Sequence, residues 1–389
     1  MKKICIIGGA GHIGLPLALK FSEKNFVVDV IDKNKRIIEK LNNSIFPFKE
    51  NGGEKLLKKC QKKKKIFFHD DYKKVRSADF IIITVGTPLI NNRPSLKQIN
   101  DVIAKLLLYL NDKQSIILRS TIFPGATKKI YNKINKFYKK IGLSYCPERV
   151  AQGKSLDEIK KLKQIVSSNS KSEEKKILRL FKKICNDVSA CSFEEAEFIK
   201  LFSNAWRYIK FAASNEFYML SRNKGIEYKK IHKLMTDRYP RNMDMPTQGF
   251  AAGPCLPKDA VQLFLSDRLN SNLIKNSHLI NERLPNFFVN DLKNKIKLKG
   301  KKIGILGTTF KSEIDDERDS LSIKLKKILT RNGAKVYCND PYVINKDYQS
   351  IKYIKKKCDI IFIATPHLKY KKLKFDKKIV IDCWDFLSD

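Results

Sequence analysis

The residues of this chain whose types and spacing can do chemistry fall in two places, a glycine cluster near its start and a cysteine about two thirds of the way along. The cluster reads Gly9-Ala10-Gly11-His12-Ile13-Gly14, and Asp32 follows Gly11 by 21 positions. Glycines at that spacing let the backbone approach a pyrophosphate, whose charge then meets the amides at the start of a helix. An acidic residue about 20 positions on accepts hydrogen bonds from ribose hydroxyls. The pattern is a dinucleotide site made by Gly9, Gly11, His12, Ile13, Gly14 and Asp32. Lys33, Lys35 and Arg36 offer charge to a 2′-phosphate, but Asp32 repels one, so these residues favour NAD over NADP.

The cysteine is Cys255. It follows the loop Gly249-Phe250-Ala251-Ala252-Gly253-Pro254 and precedes Leu256-Pro257-Lys258-Asp259. Proline at that point marks the first turn of a helix. A thiol at a helix N-terminus beside a lysine ionises more readily than a free one, and Asp259 stands one turn further on as a base. A thiolate nucleophile and a structural cysteine packed in a core both remain open on these residues alone.

The glycine cluster follows the buried-strand pattern Ile4-Cys5-Ile6-Ile7 and opens a helical pattern from Leu15 to about Lys24, and a second strand, Phe26 to Ile31, ends at Asp32. Further strands are predicted from Ala78 to Val85, Ser115 to Thr121 and Leu143 to Cys146. In an open parallel sheet ligands lie beyond the carboxyl ends of the strands, which turns Thr87, Ser120 and Thr121 toward the cofactor. The pattern then restarts: residues 301–307 echo the first strand, 334–340 the strand ending at Asp32, and 358–366 the segment from Ala78. The second copy lacks the glycine cluster, so a nucleotide carried by the substrate, not a second dinucleotide, is expected there. Between the copies, Ser192 and Glu195 form a capping-box signature ahead of a long helix, which would span roughly 45 Å and offer a dimer surface. On it Lys200 and Asn204 are one turn apart, by themselves a solvated stripe. The reading is α/β: two Rossmann-like doubly wound parallel-sheet domains, 1–190 and 291–389, joined by the long central helix of a region spanning 191–290.

Composition narrows the rest. The net charge of +39 invites nucleic acid, yet 65 of the 79 basic residues are Lys and only 14 are Arg, the residue suited to bidentate reading. Specific nucleic-acid binding is therefore not expected. No apolar run approaches the ~20 residues of a membrane helix, and the basic start of the chain leads into too short an apolar stretch for an export signal. Nine scattered cysteines without a CxxC pair fit free thiols in a reducing cytoplasm, with neither disulfides nor a metal site.

In the order of its motifs the chain resembles the UDP-glucose/GDP-mannose dehydrogenase family over essentially its whole length. The matching segments are Gly9 to Gly14 with Asp32, Gly86-Thr87-Pro88, Ser120 to Gly125, Pro147-Glu148-Arg149, Glu197 to Asn204, Gly249 to Asp259, Phe310-Lys311, and Asp316 to Ser320. The resemblance implies a two-step oxidation of the C6 hydroxymethyl of a UDP-hexose to a uronic acid through a Cys255 thiohemiacetal and thioester. It gives Lys200 and Asn204 the oxyanion, Asp259 the role of base through water, Glu148 assistance to hydrolysis, and Thr121 the placement of water and nicotinamide. It adds Arg318 to the cofactor site, and Glu148, Arg149, Lys200, Asn204, Arg238, Phe250, Gly253, Phe310 and Lys311 to the substrate site. Two positions depart from the family: Ala252-Gly253-Pro254 replaces its Gly-Gly-Ser, and Asp382-Cys383-Trp384 replaces the Asp-Gly-Arg of many UDP-glucose enzymes. The lost Arg opens the sugar to a UDP-N-acetylhexosamine as well as UDP-glucose. The expected protein is a cytoplasmic homodimer supplying uronic acids for surface polysaccharide. The alternatives are a single-step hydroxyacid dehydrogenase of similar architecture and a basic binding protein that has lost activity.

Overall fold

The computed structural model describes residues 2–91 and 93–387. The chain divides into two compact units, Met1–Phe202 and Ser203–Asp389.

In the first unit, strands β1 (Lys3–Ile7), β2 (Val27–Ile31), β3 (Ile66–His69), β4 (Phe80–Ile83), β7 (Ser115–Leu118), β8 (Gly142–Tyr145), β9 (Gln164–Ser168) and β10 (Val188–Ala190) form one sheet. The short pair β5 (Leu89–Ile90) and β6 (Arg93–Pro94) stands apart as an antiparallel hairpin. The sheet order is β10-β9-β8-β7-β4-β1-β2-β3, parallel throughout except where β8 meets β9. Its strands are runs of Ile, Val and Leu because both faces are covered. Ile4, Ile6, Val28, Val30 and Ile82 enter one core cluster, and Cys5, Ile7, Ile31, Ile81 and Ile83 enter the other. The pleat sends alternate side chains to opposite faces, so one apolar strand feeds two cores. The chain leaves β1 to either side, toward β2 and toward β4, and this reversal opens a crevice at the strand ends.

In the second unit, β11 (Lys302–Leu306), β12 (Lys335–Asn339), β13 (Ile360–Ile363) and β14 (Ile379–Asp382) make a parallel sheet of order β12-β11-β13-β14. The central helix, Phe193–Asn223, runs 31 residues without a break and carries the chain from one unit into the next. Its start is the capping box read from the sequence: Ser192 N donates to Glu195 Oε2 at 2.7 Å, and Glu195 N donates to Ser192 Oγ at 3.2 Å. Two Rossmann-like sheets with a long helix between them in the chain are thus the architecture the sequence implied. β3, β9, β10 and β14 were not among the strands read from it.

Candidate active site

The glycine cluster forms the turn between β1 and the helix Gly14–Glu23. Gly14 packs so closely on Gly9 that a methyl there would also stand 2.8 Å from Thr84 Oγ1. The N-cap of this helix, Ile13, supplies no side-chain hydrogen bond, and its first turn holds no acidic residue. No cap side chain or first-turn carboxylate therefore competes with a pyrophosphate at this helix start, although Leu15 N is already given to Gly11 O at 3.0 Å and Pro16 has no N–H. Asp32 stands at the end of β2, where Oδ2 accepts from Ala10 N (3.2 Å) and Oδ1 from Asn34 N (3.0 Å). The carboxylate is only partly buried and keeps lone pairs for ribose hydroxyls. These residues fit NAD. His12 is packed on Phe48, ring centroids 4.0 Å apart, and its Nδ1 is 3.1 Å from Gln152 Nε2.

The polar residues at the neighbouring strand ends stitch loops together. Thr87 Oγ1 donates to Thr121 O at 2.6 Å and Ser120 Oγ to Val85 O at 2.6 Å, which cross-links the loops after β4 and β7. Both hydroxyls can still accept from a ligand. Glu148 lies in the segment after β8, in a buried ion pair with Arg119, while its Oε1 accepts from Arg149 N (2.8 Å) and Val150 N (3.1 Å). Burial alone would raise its pKa, but the Arg119 charge and hydrogen bond prevail and hold it below the usual carboxylate range. Both oxygens of Glu148 are thus engaged, and Arg149 donates to Lys163 O. Arg119 was not singled out from sequence. A lone Arg after Ile116-Ile117-Leu118 in a buried strand was the available signal, since a charge there needs a partner. Glu197, the first residue of a matched motif, was likewise given no role. It is fully buried and accepts from Gly125 N (2.6 Å), Thr127 N (2.8 Å) and Thr127 Oγ1 (2.6 Å).

In the second unit Cys255 is the N-cap of the helix Leu256–Ser266, with Pro257 in its first turn. Among the nine described thiols it is the one classed as exposed; seven are buried and Cys191 is intermediate. Asp259, fully buried, returns its amide to Cys255 O at 2.8 Å. Its Oδ2 accepts from Asn204 Nδ2 (2.6 Å) and its Oδ1 from Lys258 Nζ (2.6 Å). The structure therefore joins Asn204, Lys258 and Asp259 at the foot of the cysteine. Lys200 is buried one turn earlier on the central helix.

Gly253, at φ +97, donates from its amide to Asp319 O at 3.1 Å and lies against the Phe310 ring. Phe250 is buried in the core of this unit, and Lys311 is partly buried on the loop that carries Phe310. Arg318 donates from Nε and Nη2 to Asp316, with Nε at 2.9 Å from Oδ1. Its pKa is raised, first by the Asp316 hydrogen bond and, against a desolvation cost, by Asp316, Cys255 and Asp319 charges. Arg238 lies on the exposed chain after the helix Tyr228–Thr236. Trp384 packs on Gly249 and donates from Nε1 to Ala364 O at 2.9 Å. Among the described residues no group of three or more His, Cys, Asp and Glu is placed to hold a metal, and no helix is long and apolar enough to cross a membrane.

Two Rossmann-like sheets, one of them with an uncapped glycine turn and a strand-end aspartate, define the class as a dinucleotide-binding protein of the kind that carries NAD. Models of the UDP-glucose/GDP-mannose dehydrogenase family match the chain in order: the NAD binding domain over residues 2–185, the central domain over 194–283 and the UDP binding domain over 304–389. A UDP-N-acetyl-D-mannosamine dehydrogenase of Methanocaldococcus jannaschii is 31% identical, covering 97% of this chain and 88% of its own. A UDP-glucose 6-dehydrogenase of Rickettsia conorii is 28% identical over 95% of this chain and 90% of its own. The solved UDP-D-ManNAc dehydrogenase of Pyrococcus horikoshii superposes with a TM-score of 0.92 at 27% identity, covering 100% of this chain and 96% of that one. The chain belongs to the UDP-glucose/GDP-mannose dehydrogenase family, the NAD-dependent oxidoreductases that act on a CH–OH group of nucleotide sugars.

Proposed function

We propose that this chain oxidises the C6 hydroxymethyl of a UDP-hexose to the uronic acid, with Cys255 as the covalent nucleophile. The observation that carries the reading is the exposed Cys255 thiol at the start of a helix whose Asp259 is held by Asn204 and Lys258. A core-packing cysteine has no reason to stand exposed at a helix N-terminus behind a glycine loop. Bound NAD, held by the turn from Gly9 to Gly14 and by Asp32, supplies the hydride acceptor for both oxidation stages. The Cys255 sulfur adds to the C6 carbonyl of the aldehyde to give a thiohemiacetal, and oxidation of that adduct leaves a thioester. Water then cleaves the C–S bond, releasing the carboxylic acid and restoring the thiol. Lys200 and Asn204 stabilise the oxyanion, Thr121 places the water and nicotinamide, Asp259 serves as base through water, and Glu148 assists hydrolysis.

Arg149, Arg238, Phe250, Gly253, Phe310 and Lys311 hold the sugar nucleotide, and Arg318 serves the cofactor. The relatives near 30% identity favour a UDP-N-acetylhexosamine as the sugar, and so does Trp384 in place of Arg. Segments 1–190, 191–290 and 291–389 serve NAD binding, dimerisation with the catalytic loop, and UDP-sugar binding. The exposed Trp206, Phe217 and Leu220 on the central helix suit a homodimer, working in the cytoplasm to supply uronic acids for polysaccharide. A panel of nucleotide sugars assayed for NADH tests the reading. Two NADH per sugar are expected, with a UDP-N-acetylhexosamine ahead of UDP-glucose. One NADH per molecule of a simple hydroxyacid would replace it with the single-step alternative. Cys255→Ser should stop multiple turnover and accumulate a substrate-linked protein mass. Robust turnover by Cys255→Ser and Cys255→Ala alike would return the thiol to a packing role.

A further inference from the structure

The segment that carries Cys255 is tied at both ends to one helix. At its far end Asn204 Nδ2 holds Asp259. At its near end Asn215, eleven residues along the same helix, takes Gly249 by both backbone groups: Gly249 N donates to Asn215 Oδ1 at 2.8 Å and Asn215 Nδ2 donates to Gly249 O at 3.1 Å. Eleven residues are close to three full turns, so both amides lie on one helix face. The second hydrogen of Asn215 Nδ2 goes to Asn281 Oδ1 (2.8 Å), and Asn281 Nδ2 in turn donates to Tyr208 O (3.0 Å). Tyr208, one turn after Asn204 on the same helix, packs on Ala251 inside the segment and on Ala260 just beyond it. Asn215 and Asn281 are fully buried, and the carboxamide of Asn215 has each of its donors and its oxygen committed.

Gly249 is closed from its other side by the Trp384 ring, where a methyl on the glycine would collide with the indole. Trp384 is itself fixed, with its indole Nε1 donating to Ala364 O, its backbone carbonyl accepting from Thr247 Oγ1 at 3.2 Å and the Phe211 ring edge-on to the indole at 6.1 Å. The tryptophan that replaces the family's arginine is therefore built into the support of the cysteine loop.

We propose that Asn215 is a positioning residue for the reaction: together with Trp384 it fixes Gly249 and so sets where the Cys255 thiol stands. The proposal rests on Cys255 being the nucleophile. A charged or misfitted group at 215 releases the near end of the segment while Asn204 keeps the far end, so the thiol moves, with Phe250 and Gly253 on the same segment, but the glycine turn and Asp32 of the first unit do not.

Asn215→Asp keeps the shape and turns both donors into acceptors facing Gly249 O and Asn281 Oδ1. Acid formation should lose about 10- to 100-fold in kcat, the loss expected when a reacting group shifts by about 1 Å. The KM for NAD should stay within about threefold, because the glycine turn and Asp32 lie outside the released segment. Alkylation of Cys255 by iodoacetamide, followed by mass spectrometry on its own peptide, should change severalfold in rate. Gly249→Ala should copy these defects, and adding Trp384→Leu, which clears room for the methyl, should restore part of both kcat and alkylation rate. Wild-type kcat and alkylation in Asn215→Asp with only a lowered Tm would overturn the proposal. So would a Gly249→Ala/Trp384→Leu protein no better than Gly249→Ala, and that pair decides the matter if Asn215→Asp does not fold. Acid formation by Cys255→Ala would sink the nucleophile reading separately, because the alkylation rates still report on the position of the thiol.

Discussion

After β1, Gly8 sits at φ +72 and its amide donates to Ile31 O; after β11, Gly307 sits at φ +89 and donates to Asn339 O, both at 2.8 Å. β1 pairs with β2 in a register that sets Ile7 opposite Ile31, and β11 pairs with β12 so that Leu306 faces Asn339. Each second strand then ends in an aspartate that accepts from the loop of the first: Ala10 N to Asp32 Oδ2 at 3.2 Å, Thr308 N to Asp340 Oδ2 at 2.8 Å. Beyond that point the two halves part. The first loop spans residues 8–13 and delivers a bare helix end, whereas the second spans residues 307–320 before its helix, Leu321–Arg331. That longer loop turns inward. Thr309 N also donates to Asp340, Glu313 N donates to His367 Nδ1 at 3.0 Å, and His367 Nε2 lies 3.1 Å from Asp340 Oδ2. With Nδ1 accepting, the fully buried His367 is the neutral tautomer that carries its proton on Nε2 and donates it to Asp340. One skeleton thus leaves its carboxylate partly exposed with two backbone partners in the first unit and consumes the matching carboxylate in the second. On the proposed assignment of Asp32 to the ribose, dinucleotide binding follows from that aspartate and the uncapped glycine turn, not from the sheet.

The sharpest way to break that comparison is Gly14→Ala. A methyl pressed into Gly9 and Thr84 should weaken NAD binding by about 100-fold, near 3 kcal/mol, and leave UDP binding as it was. Titration calorimetry with each ligand separates the two, and an equal loss of UDP affinity would mean that the halves are not independent sites. Asp32→Ser comes next: the preference of kcat/KM for NAD over NADP should shrink by one to two decades, roughly 1.5–3 kcal/mol. An unchanged preference would falsify Asp32 as the ribose reader. Asp340→Asn should leave that preference untouched and cost about 1–3 kcal/mol of stability, because a carboxamide has one acceptor oxygen where the carboxylate has two, so either Tyr342 N or the Thr308, Thr309 and His367 donors face an NH2 in a buried place. Denaturant unfolding reads this directly.

The smallest effect is in pH. Burial would raise the Asp340 pKa, but the hydrogen bond from His367, with those from the Thr308 and Tyr342 amides, holds it below the ordinary Asp value of 3.8. A depressed carboxylate adds stability that is present above its unfolded pKa and fades as pH falls through the folded one. Tm for wild type and Asp340→Asn should therefore stay apart near neutrality and draw together as the pH is taken from about 5 to below about 4. Parallel Tm curves over that range would remove Asp340 from the acid response.

Periodicity and glycine placement made the two sheets, the central helix and the NAD turn legible, because those depend on local pattern. Ser192 and Glu195 were readable as a cap for the same reason. What could not be read is what distant residues do to one another. Glu148 could be assigned to hydrolysis by resemblance, but nothing near it in the sequence pointed to Arg119, 29 positions earlier, which engages it. Asp259 was placed one turn from the thiol, but its capture by Asn204 joins positions 55 apart. Trp384 was legible as the loss of an arginine, while its packing on Gly249 brings together residues more than a hundred positions apart.

Glu197 has a consequence for the order in which the chain can be completed. It caps the helix Ala126–Asn135 from a position about 70 residues downstream, on the first turns of the central helix. During synthesis the Gly125 and Thr127 donors stay without this acceptor until residue 197 has emerged and the central helix has begun to wind. A fragment ending at 190 contains the eight sheet strands of the first unit and still lacks the carboxylate; one ending at 202 has it. The longer fragment should unfold at the higher temperature, and in hydrogen exchange the Gly125 and Thr127 amides, at a helix end that ordinarily frays, should exchange slowly in it and fast in the shorter one.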